Sequence, residues 1–156
     1  MNKDEYKYKS IITVENYDKV DGKAAYGKEI ESLSTGMLQG KSPRTGDIVG
    51  KIIMTDDSAQ EIELSATRIF DLAILILSTN LYFRDAYKFE KLYDPENPIV
   101  TALGLQGNKM QLEIDTKNEN LDKDIQYFYD MLQSDGEILG ERFRIINDIM
   151  KEMGYR

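Results

Sequence analysis

The sequence predicts an α+β fold. The expected architecture is an antiparallel sheet of about four or five strands, with a long central helix and two C-terminal helices packed on one face, all within a single domain spanning residues 1–156. Three observations carry the prediction. Short β-favouring runs group before residue 65, a stretch at 66–93 without glycine or proline follows, and two helix-periodic segments close the chain after one hairpin pattern. Strands grouped and joined by hairpins, with helices grouped apart, imply an antiparallel sheet with segregated helices.

The first strand is expected at Ile11-Ile12-Thr13-Val14, closed by Asn16-Tyr17-Asp18 and the Asp21-Gly22 turn signal. Residues 30–39 fit strand or helix, and Ser32, Ser34, Thr35 and Gly36 tilt them towards strand. Residues 40–46 form a turn by composition, 47–54 a strand ended by Thr55-Asp56-Asp57-Ser58, and 60–64 a further short strand. Ser65 is placed to cap a helix over 66–93, about 42 Å long at 1.5 Å per residue. Residues 72–77 are apolar on every helical face, so that half is expected to be enclosed by protein, while the half after Tyr82 is amphipathic. Asp94-Pro95 and Asn97-Pro98 stop the helix.

Residues 101–115 predict a hairpin about a Gly107-Asn108 turn, with Gln106 paired to Lys109, Leu105 to Met110 and Leu103 to Leu112 on one apolar face with Ile114. Leu121, Ile125, Phe128 and Leu132 then follow helical spacing until Asp135-Gly136. The last helix carries Ile138, Leu139, Phe143, Ile146, Ile149, Met150 and Met153, with Gly154 as its stop.

Composition narrows the chemistry. The chain has no histidine and no cysteine, which excludes an imidazole relay, a thiol nucleophile and the usual zinc site. Neither a cofactor nor a metal is expected. The formal charge of −8 opposes nucleic-acid and anionic-membrane binding. No export signal or uninterrupted apolar run of spanning length is visible, the longest being Leu72–Leu77, so a cytoplasmic location is expected.

Two motif-like stretches carry no site. Gly40-Lys41-Ser42 lacks the earlier glycine of a phosphate loop, since Thr35 stands there, and Pro43 spoils the helix start. Around Gly22, calcium-loop spacing puts Tyr17, Lys19 and Lys28 where oxygen ligands are required. The candidates that remain are ligand-binding groups. Tyrosine is abundant, with ten against five phenylalanines and no tryptophan, and Tyr17 and Tyr87 belong to that set. Arg84, Lys88 and Lys91 fall at helical spacing beside Tyr87, a basic stripe in an acidic protein. Gln106 and Asn108 place two amides around the hairpin turn, and Arg142 is the cation expected to join them.

Several stretches resemble an uncharacterised bacterial domain-of-unknown-function family: Asn16-Tyr17-Asp18 with Asp21-Gly22, Leu33-Ser34 with Gly36, Asp71 to Ile76, Phe89 to Pro98, Gly104 to Gly107, and Asp135-Gly136-Glu137 with Gly140-Glu141-Arg142. The resemblance implies a stand-alone bacterial or phage-borne domain and no activity. The functional expectation is a non-enzymatic binding protein, a homo-oligomer, that sequesters a small anionic, nucleotide-type ligand. The first alternative is an acidic inhibitor or immunity-type protein that binds a protein target. The second is a carboxylate-based, metal-dependent hydrolase using Glu137 and Glu141.

Overall fold

The computed structural model describes residues 7–21, 30–39, 48–54 and 60–156. The expected turns at 40–46 and 55–58, together with Gly22, Tyr6 and Tyr26, lie outside the described residues. The protein is α+β, and its described residues form a four-stranded antiparallel sheet, a two-stranded sheet and three helices. Its chain groups into two compact units, Met1–Ile74 and Leu75–Arg156, and one helix belongs to both.

The first unit is a meander of β1 (Lys7–Val14), β2 (Ile30–Gln39), β3 (Ile48–Met54) and β4 (Glu61–Ser65), paired in chain order. The ambiguity over 30–39 resolves to strand because that segment has a partner on each side. β1 starts four residues earlier than its apolar run. Lys7 to Ser10 pair with Gln39 to Gly36, and the Tyr8 hydroxyl hydrogen-bonds that of Ser34 at 2.7 Å. Ile11 is an extra residue in β1, since Ser10 pairs with Gly36 and Ile12 with Thr35. Such a bulge bends the strand, and it sits opposite the one residue of β2 that has no side chain. Val49 on β3 is 2% exposed, and Thr35 donates to its carbonyl at 3.0 Å.

Lys51 links three strands. Its Nζ lies 2.9 Å from Glu61 and 3.6 Å from Glu63 on β4, and 4.8 Å from the centre of the Tyr8 ring on β1. The hydrogen bond that Lys51 donates to Glu61 holds the ammonium above the usual lysine range, against the opposing cost of its burial, and both carboxylates add attraction. A raised lysine contributes stability that is complete below its unfolded value of 10.5 and is lost as pH climbs through the folded value. The carboxylates are exposed, so the contribution is modest, about 1 kcal/mol or less. Urea unfolding of Lys51→Met should show a small loss at neutral pH and a shallower alkaline decline. An alkaline limb identical to that of the parent would refute the assignment.

Ala66–Arg84 forms α1, which follows β4 directly. Ser65 ends β4, and its hydroxyl meets that of Thr67 at 3.2 Å. In the first unit Ile69 lies over Gly50 of β3. The enclosure expected for the apolar half does not occur: Phe70 is 65% exposed and Leu72 50%. By length and composition alone α1, with mean hydropathy 1.3, reaches what crossing a membrane requires, a property that counting uninterrupted apolar residues overlooks.

The helix also stops nine residues earlier than expected. After Arg84 the chain enters a 3-10 turn at Ala86–Lys88, and Leu92 takes φ 68°. No glycine or proline forces the break. It occurs because Ala86, Leu92 and Tyr93 fold back onto Phe83 and Ile125 to form the core of the second unit. A continuous helix would spread those residues along and around its axis, and burying them together outweighs the lost helical hydrogen bonds.

The hairpin of β5 (Ile99–Leu105) and β6 (Asn108–Glu113) is present with a different register. Leu105 pairs with Asn108, Leu103 with Met110 and Thr101 with Leu112, so the turn residues are Gln106 and Gly107. Both have positive φ, 50° and 83°, the turn whose twist matches its strands. This register differs by two residues from the expected one, which leaves the apolar face unchanged. Two helices follow, α2 (Leu121–Ser134) and α3 (Gly136–Glu152), broken at Asp135, with Gly154 at φ 94° closing the second.

Candidate functional site

A cleft of about 600 Å³ opens within the second unit. Leu75, Thr79, Tyr82 and Phe83 on α1 supply one wall, and Ile125, Phe128 and Met131 on α2 supply another. The third comes from the end of β6 and the residues just after it, Leu112 to Asp115. Aromatic packing sets the floor. The Phe83 ring meets those of Tyr82 at 5.2 Å and Phe128 at 5.5 Å, both edge to face, the arrangement that aligns ring edges with π-faces.

The charged groups that line this cleft are Glu113, Asp115 and Asp124. Their positions are held locally. The Asn118 amide donates to Asp124 at 3.0 Å, Asp115 accepts the Lys117 amide at 3.2 Å, and Asn118 accepts the Asn120 amide at 3.0 Å. Two consecutive Asx turns therefore shape the rim before α2 begins. Asp124 lies in the first turn of that helix, where the dipole favours a carboxylate. Burial, assisted by the Asp94 carboxylate, pushes the Tyr82 phenol above its usual value of 10, although a hydrogen bond with the Asp94 backbone opposes the shift. Tyr82 is thus a neutral hydroxyl at physiological pH. Among the described residues no three carboxylates converge closely enough to hold a metal ion.

The residues expected to bind a ligand lie elsewhere. Tyr17 is in a 3-10 turn of the first unit, whereas the other seven are in the second. Tyr87 is 72% exposed, and Lys88 Nζ stands 5.3 Å above the Phe89 ring. Lys91 pairs with Asp122 at 3.5 Å and borders a polar depression beside Tyr93 and Asn120. Arg84 ends α1 and borders another depression with Gly136, Gly140 and Phe143. Because α1 stops there, Arg84, Lys88 and Lys91 do not form a helical stripe. Gln106 occupies the turn, Asn108 opens β6, and Arg142 donates to the Ile138 carbonyl at 3.3 Å within α3. None of the eight lines the large cleft. Its own polar groups carry no signal in the sequence, because isolated acids and amides between a strand and a helix are ordinary turn residues, and Asp115 and Asn118 do form turns.

These features define an α+β protein with a sizeable apolar cleft and an acidic rim. The chain belongs to a family of unknown function, DUF6530, whose model matches residues 1–155. No curated protein and no solved structure matches it.

Proposed function

We propose that the chain is a cytoplasmic, non-catalytic binding protein whose cleft holds a basic, partly apolar segment of a protein target, as an inhibitor or immunity-type protein would. The observation that carries this is the lining: an aromatic and aliphatic floor, with Glu113, Asp115 and Asp124 as its charged groups. A cleft of this size buries apolar side chains, and its carboxylates favour a cation beside them and disfavour a phosphate. That preference selects the protein target over the nucleotide-type anion, whose expected contacts are spread over separate surfaces.

Calorimetric titration with an amphipathic Leu/Lys peptide, its Leu/Glu counterpart and a panel of nucleotides tests the proposal. The Leu/Lys peptide should bind, weaken as salt rises, and lose about tenfold in affinity when Asp115→Asn and Asp124→Asn are combined. Heat from a nucleotide, with none from the Leu/Lys peptide, would overturn it in favour of an anionic ligand.

A further inference from the structure

We propose that the outer edge of β6 is a self-complementary interface through which two copies of this chain join their hairpins into one four-stranded antiparallel sheet. Among the described residues the β5–β6 sheet has two strands and no strand beside either. Its register decides which backbone groups the free edge offers. Leu105 and Asn108 flank the two-residue turn and exchange hydrogen bonds, so Met110 and Leu112 also bond inward. Ile114 continues the alternation, its N–H reaching the Pro98 carbonyl at 2.8 Å. Lys109, Gln111 and Glu113 therefore turn their N–H and C=O groups outward. All three residues are exposed, and among the described residues no backbone hydrogen bond outside the ladder reaches them.

A second β6 running antiparallel must align outward residues with outward residues. With the twofold axis at Gln111, Lys109 faces Glu113 of the partner subunit, Glu113 faces the partner's Lys109, and the two Gln111 residues meet on the axis. On the opposite, apolar face Met110 meets the partner's Leu112. Axes at Lys109 or Glu113 would set like charges directly opposite one another, which is destabilising, and axes at Met110 or Leu112 form no ion pair between residues of β6, which ends at Glu113. Opposite charges at both ends thus select one register. The outer edge of β5 presents Ala102 and Gly104, which carry no charge to select any. An isologous contact of this kind closes as a dimer, and an exposed strand edge otherwise remains a template for pairing.

This interface stands independently of the cleft reading, although it would bring the partner's Lys109 to Glu113 at the cleft rim. The chain has no cysteine, so Gln111→Cys introduces a single thiol on the proposed axis. Directly opposed residues of a hydrogen-bonded pair lie about 5.5 Å apart at Cα, within disulfide reach. Gln111→Cys should form a covalent dimer under mild oxidation far faster than Ala102→Cys on the other edge. In sedimentation equilibrium Lys109→Glu and Glu113→Lys should each weaken the dimer about tenfold, and the double exchange should restore it. A monomer at every concentration, a double exchange no tighter than the single variants, or equal cross-linking at 102 and 111 would each overturn the proposal.

Discussion

Phe83→Ala should lower stability by about 3–5 kcal/mol, the usual cost of removing a phenyl ring from a core. Phe83 is 6% exposed and packs with Ala86, Leu92, Tyr93 and Ile125. Its ring also meets Tyr82, Phe128 and Tyr129, so its loss removes aromatic contacts as well as buried area. Few residues share this work: among the described residues the buried apolar positions are Val49, Phe83, Ala86, Leu92, Tyr93, Leu112 and Ile125. A loss of this size is a large fraction of the total for an ordinary domain. Urea unfolding followed by tyrosine fluorescence gives the change, and peptide titration should show the cleft weakened with it. A loss under about 1 kcal/mol would mean that the surrounding rings close over the void, contrary to the proposed role of Phe83 as the cleft's floor.

Gly36→Ala should detach β1 at a cost of about 3 kcal/mol. A Cβ at Gly36 would overlap the Lys9 carbonyl oxygen and stand 2.9 Å from Ser10 Cα. These are backbone atoms, fixed by the ladder on one side and by the Ile11 bulge on the other, so no rotamer change relieves the overlap. Hydrogen exchange should show the amides of Lys7–Val14 losing protection while β3 and β4 keep theirs. Gly50→Ala is the matched control. There the added Cβ meets only Ile69 Cδ1, at 2.5 Å, and a side-chain tip can rotate away at a cost of about 1 kcal/mol. Equal effects at the two glycines would refute the distinction.

The hairpin separates what local sequence specifies from what it leaves open. Alternation placed Leu103, Leu105, Met110 and Leu112 on one face, and they share it. Alternation repeats every two residues, however, so a two-residue slip satisfies it equally. The turn decided the matter. Gln106 accepts a left-handed conformation and Gly107 follows it, so the loop closes on Leu105 and Asn108. The candidate site shows the same division. Arg84, Lys88 and Lys91 share a helical spacing in the sequence that the folded chain does not keep. Glu113, Asp115 and Asp124 matter only because β6 and α2 bring them to one cleft.

By itself the sequence determined the α+β class, the grouping of four strands before the first helix, the helix stops at Asp135 and Gly154, and the apolar face of the hairpin. Each follows from local periodicity or from a residue whose backbone preferences act within a turn. Tertiary structure decided where α1 ends, which strands share a sheet, and which carboxylates meet. Phe83, Ala86, Leu92 and Tyr93 gain more by being buried together than the chain loses by breaking a helix that no single residue forbids. Burial of that kind joins residues far apart in the chain, and short-range pattern carries no record of it.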